Sequence, residues 1–216
     1  MNEAFKAQLL EAVRNTPSPT RAEVTKRSWQ LLGGGILATS ALFFLLGGFA
    51  RGTRPVELVV FTAGLGLVAA AVTTHLASGR KRSMLGQPRP VLVTLSVATM
   101  PLLALVALAA AVLWPDPAAE TVAAKSTVNC AAMTLAEGAL PLGLFLFAKR
   151  GTDPIHPAVT GTALGITAGA WTATMAYLRC PHAQAEHCIS AHVAPVLVLA
   201  ITGALVGKVL LETKRA

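Results

Sequence analysis

Long runs without charge alternate with short basic clusters along this chain, and the length of the runs predicts helices that cross a membrane. A hydrocarbon core about 30 Å thick takes roughly 20 helical residues at about 1.5 Å rise. Six windows reach that length: Trp29 to Ala50, Leu58 to Ala77, Pro90 to Trp114, Ser126 to Ala148, Ala158 to Leu178 and His192 to Leu211. Glu137 is the one acid inside them, and Lys208 enters the last turn of the sixth, where its stem lets the ammonium snorkel to the interface. The pattern predicts an all-α fold: a six-helix transmembrane bundle over 29–211, a cytoplasmic N-terminal tail at 1–28 and a short C-terminal tail at 212–216.

The tail has its own periodicity. Phe5, Leu9, Leu10 and Val13 fall on one helical stripe with charged residues on the other faces, which predicts a short amphipathic helix. Thr16-Pro17-Ser18-Pro19 breaks it, and Thr20 with Glu23 matches a capping box that opens a second helix running through Trp29 into the first span. An isolated helix of about 14 residues is marginal in water, so its stripe needs a cover: the bilayer surface, the cytoplasmic loops or a groove on a partner. Arg14 and Arg21 add charge that suits an acidic partner or anionic lipid.

Composition agrees with a polytopic membrane protein and excludes an ordinary soluble domain, since 54% of the 216 residues are hydrophobic and only 13% charged. The tails and the even-numbered connections carry 14 of the basic residues and the other connections 4, which predicts cytoplasmic termini. The net charge of +8 is therefore largely topological and gives no reason to infer nucleic-acid binding. The first span is read as a retained anchor rather than a cleaved leader. Gly161, Gly165 and Gly169, and then Gly203 and Gly207, repeat at intervals of four and predict close helix approach.

Candidate chemistry gathers on the outer side. Cys180-Pro181-His182, His187-Cys188 and His192 bring three of five histidines and two of three cysteines together between the last two windows. Cys180 and His182 flank a proline that turns the chain, while Cys188 and His192 share a face if the sixth helix begins early. Four nitrogen or sulfur ligands from this set suit zinc or another soft divalent cation. Cys130 lies near the same surface, so a disulfide with Cys180 is the competing arrangement, and it requires Cα atoms within about 7 Å. An inert loop is the third reading. Glu137, costing about 3 kcal/mol as a mid-bilayer charge, is read as a neutral acid hydrogen-bonding a neighbouring helix, for instance through a threonine or serine, in preference to a proton relay. His75 and His156 stand alone as interfacial residues. No phosphate loop, paired carboxylates or Ser/His/Asp grouping is present, so the chain is not read as an enzyme. A small polytopic metal-binding or transport protein is the alternative class.

The order of Asn15-Thr16-Pro17-Ser18-Pro19-Thr20-Arg21, Cys130, Lys149-Arg150, His156-Pro157-Ala158, the Gly161/Gly165/Gly169 segment and Tyr177-Leu178-Arg179-Cys180-Pro181 resembles the NrsF-type six-span anti-sigma factors. The resemblance implies a bacterial inner-membrane protein whose cytoplasmic tail holds an extracytoplasmic-function sigma factor inactive. With the tail as the binding element, the periodic stripe of Phe5, Leu9, Leu10 and Val13, joined by Arg14 and Arg21, is the expected sigma-binding surface, and the resemblance puts stress or heavy-metal sensing on Cys130 and Cys180. The additional His182, His187, Cys188 and His192 go beyond that two-cysteine pattern.

Overall fold

A computed structural model describes residues 20–49, 55–78, 87–115, 124–150 and 155–211, and all regular structure in them is helical. Six helices follow in order: α1 (Arg21–Leu45), α2 (Val56–Ser78), α3 (Arg89–Leu113), α4 (Ala124–Lys149), α5 (Pro157–Arg179) and α6 (Ala185–Leu211). The expected capping box opens α1. Thr20 N–H donates to Glu23 Oε2 at 2.7 Å, and Glu23 N–H donates back to Thr20 Oγ1 at 3.3 Å, satisfying two of the helix's orphan donors. Two glycines with positive φ, Gly47 and Gly48, close its other end: their N–H groups bond the Phe44 and Phe43 carbonyls, a Schellman motif that a Cβ would strain.

α5 is the hub. It packs against every other helix and is buried along nearly its whole length. Its threonines survive burial because their hydroxyls bond carbonyls one turn back, Thr167 to Ala163 at 2.7 Å and Thr174 to Ala170 at 2.8 Å. Trp171 Nε1–H donates to Thr74 Oγ1 at 2.9 Å and ties α5 to α2. The most extensive contact is between α5 and α6, along the repeated glycines. A Cβ on Gly161 would lie 3.0 Å from the Gly207 Cα, and one on Gly203 would lie 3.2 Å from the Gly165 Cα, so the two backbones touch with no room for a side chain.

The periphery is greasy. Val60 and Val68 on α2, Val97 and Leu105 on α3, Phe147 on α4 and Leu205 and Val209 on α6 are all exposed, a belt that suits lipid and not water. Four helices, α2, α3, α4 and α6, are long and apolar enough to cross a membrane. The sequence pattern implied six. α5 falls short in apolarity because a helix wrapped by its neighbours needs no lipid-facing side, and α1 offers a shorter apolar stretch, Trp29–Leu45.

α6 starts seven residues before the expected window and is not uniform. It is α-helical over Ala185–Cys188, widens to a π-helix over Ile189–Val193, and returns to α-helix over Ala194–Leu211. Pro195 lies just beyond the wide turn. Its ring removes one N–H and crowds the carbonyl four residues back, and a π-turn is one way a helix absorbs that mismatch.

Candidate functional site: a thiol and imidazole cluster

Three helix ends converge on the cluster. Cys130 sits in the second turn of α4, Cys180 caps the C-terminus of α5, and His187 lies in the first turn of α6. Their ligand atoms all lie within 4.8 Å of one another, and no other such group of three occurs among the described residues. Cys180 Sγ is 3.2 Å from His187 Nε2. Cys180 and His187 are buried, at 4% and 3% exposure, whereas Cys130 is half-buried; all three cysteines are thiols.

A polar stripe on α4 holds the imidazoles. Thr127 Oγ1 is 3.0 Å from His187 Nδ1, Ser126 Oγ is 3.3 Å from His182 Nε2, and Thr134 Oγ1 is 3.2 Å from His192 Nδ1. The rings form an edge-to-face row, His182 to His187 at 5.0 Å and His187 to His192 at 5.4 Å. The π-turn favours the second pair, since its wider turn, closed by the bond from Ala194 N–H to the Ile189 carbonyl, rotates His192 towards the face that carries His187. Cys188 leaves this row. Its Sγ approaches the His182 carbonyl at 3.7 Å, and with His192 and Tyr177 it lines a cavity of ≈30 Å³. Of the five residues proposed from sequence as a metal set, Cys180 and His187 therefore meet, and Cys130 joins them from the cysteine pair. His182, Cys188 and His192 surround them.

Glu137 has a different partner from the one expected. The bond to a neighbouring helix is present, but its partner is the Arg179 guanidinium, the residue beside Cys180, and not a threonine or serine. Thr127, Cys130, Thr134 and Glu137 recur at three- and four-residue spacing, which is the sequence signal for this face of α4. His75 and His156 lie outside the cluster.

Distance separates the cluster from the stem of the tail. Lys149, at the far end of α4, repels the charge of Arg27 on α1, and about 28 Å of helix at about 1.5 Å per residue lies between Lys149 and Cys130. Arg21 opens α1 on that far side, while Phe5, Leu9, Leu10, Val13 and Arg14 lie outside the described residues.

No curated protein and no solved structure matches the chain. One family model, NrsF, described as negative regulator of sigma F, matches residues 12–212.

Proposed function

Since the chain belongs to the NrsF family of negative regulators of sigma F, we propose that it is a membrane-bound anti-sigma factor for an extracytoplasmic-function sigma factor. The family match across nearly the whole chain carries this reading. In it, six helices cross the bacterial inner membrane with both termini in the cytoplasm, α5 crossing inside the sheath of the other five. The tail, residues 1–28, sequesters the sigma factor by burying the stripe of Phe5, Leu9, Leu10 and Val13 in an apolar groove, with Arg14 and Arg21 meeting acidic residues.

The signal arrives at the opposite surface. Metal ligation or oxidation at Cys130 and Cys180 draws the outer ends of α4 and α5 together, and the change in helix packing releases the sigma factor. Such a switch works only to the extent that the ligand binds the two arrangements with different affinity. The rigid glycine seam between α5 and α6 supports transmission, because two backbones in direct contact slide or tilt as a unit. Expression of a sigma-dependent reporter tests the reading. It should be low with the intact chain, rise on its deletion, and stay low but lose its response to the outer signal in Cys130→Ser and Cys180→Ser variants.

A further inference from the structure

We infer that Cys130, Cys180 and His187 are the ligands of one soft divalent cation of the zinc class, with His187 Nε2 supplying the nitrogen. The inference rests on the proposed function only in giving that cation the role of signal; the binding itself does not need a sigma factor.

The donor geometry is close to finished. Zinc bonds of about 2.3 Å to sulfur and about 2.0 Å to nitrogen put tetrahedral ligand atoms roughly 3.5 to 4 Å apart. Cys180 Sγ and His187 Nε2 already stand 3.2 Å apart, and all three donors lie within 4.8 Å, so closure takes movements of about an ångström. With Nδ1–H donating to Thr127 Oγ1 at 3.0 Å, His187 directs its Nε2 lone pair at the sulfurs. That outer-shell bond is the usual device for fixing the tautomer of a ligating histidine.

Charge decides the class of ion. Two thiolates and a neutral imidazole around a divalent cation sum to zero, which is what a site with Cys180 and His187 buried can hold cheaply. The adjacent Glu137–Arg179 pair also sums to zero and leaves that balance intact. Hard cations such as magnesium and calcium take oxygen ligands, and none of the three donors is an oxygen. Binding displaces the two thiol protons to solvent as the two metal–sulfur bonds form, with no change in oxidation state. Half-buried Cys130 provides the access route and leaves room for a fourth ligand.

His182, Cys188 and His192 are assigned away from the ion. His182 Nε2 faces Ser126, His192 Nδ1 faces Thr134, and Cys188 Sγ faces a backbone carbonyl. A disulfide between Cys130 and Cys180 would have no use for the imidazole.

The test is a titration of the full chain in detergent with Co²⁺ alone, a coloured substitute for zinc, followed by displacement with Zn²⁺. One Co²⁺ per chain should bind with sulfur-to-cobalt charge-transfer absorption from two thiolates. Cys130→Ser, Cys180→Ser and His187→Ala should each weaken binding by about 10-fold or more, while Cys188→Ser leaves it unchanged. His187→Cys should restore binding with the absorption of three thiolates, an outcome a purely structural histidine would not give. Undiminished binding by His187→Ala, loss of binding in Cys188→Ser, or no charge-transfer band in the unmodified chain would overturn the assignment. Sigma capture by the chain is measured separately, so failure of the cation site and failure of the anti-sigma reading are told apart.

Discussion

Arg179, at the C-terminal end of α5, forms an ion pair with Glu137 on α4, so the residue beside Cys180 is anchored two helical turns below Cys130. The link ties α4 to α5 just inside the thiol cluster. Its energetics follow from burial, since Glu137 is 4% exposed and the Arg179 side chain 15%.

Removing one partner strands the other charge in a poor solvent. Arg179→Leu should destabilise the bundle by about 3–5 kcal/mol, while Arg179→Leu with Glu137→Leu should recover most of that loss, because an apolar pair of similar size replaces a buried ion pair at little cost. Unfolding of the purified chain in detergent, compared across the single and double variants, measures this.

The α5–α6 seam should be intolerant of even one methyl group. A Cβ at Gly161 meets the Gly203 carbonyl and the Gly207 Cα, both backbone atoms that cannot swing aside, so Gly161→Ala should cost about 1–3 kcal/mol. Gly143, where a Cβ would have nothing within 4 Å, is the control. Gly143→Ala should be neutral or stabilise by up to about 1 kcal/mol through helix propensity, as read by the same unfolding measurement.

Trp171→Phe removes the bond to Thr74 but leaves the Thr74 hydroxyl donating to the Ala70 carbonyl at 2.7 Å. With no polar group stranded, the loss should be only about 0.5–1.5 kcal/mol, which unfolding can separate from the larger costs at Gly161 and Arg179.

Thr127 should act on the cation through His187. Thr127→Val should lower cobalt affinity by about 10- to 100-fold without changing the stoichiometry, as expected for loss of an outer-shell bond that orients a ligand. A spectrophotometric titration of that variant measures both quantities.

Much of the bundle was legible in the hydrophobic pattern. The Thr20/Glu23 box and the glycine repeats are local signals with local consequences, and the helices form where they indicate. The start of α6 was not legible, because Glu186 and His187 read as polar loop although His187 is buried against α4. Hydropathy scores a residue against lipid, and a side chain facing another helix answers to a different solvent. The same reason hid the Glu137 partner: Arg179 was counted with the outer loop, and nothing in a single chain's pattern tells that its guanidinium turns inward. The α4 stripe of Thr127, Cys130, Thr134 and Glu137 was available in the spacing, but which helix it faced was a tertiary fact. Of the cluster, the sequence brought the right residue types to one surface; only the meeting of three helix ends separates Cys130, Cys180 and His187 from the neighbouring Cys188 and His192.

Whether the tail stripe holds the sigma factor is decided by its capture on the full chain in detergent, with the intact protein compared against Leu9→Asp/Leu10→Asp. The intact chain should retain its sigma factor and the double variant should lose it with unchanged stability of the bundle, because two buried carboxylates cannot share an apolar groove. Equal retention by both, or no retention by the intact chain of a folded sigma factor, would contradict it.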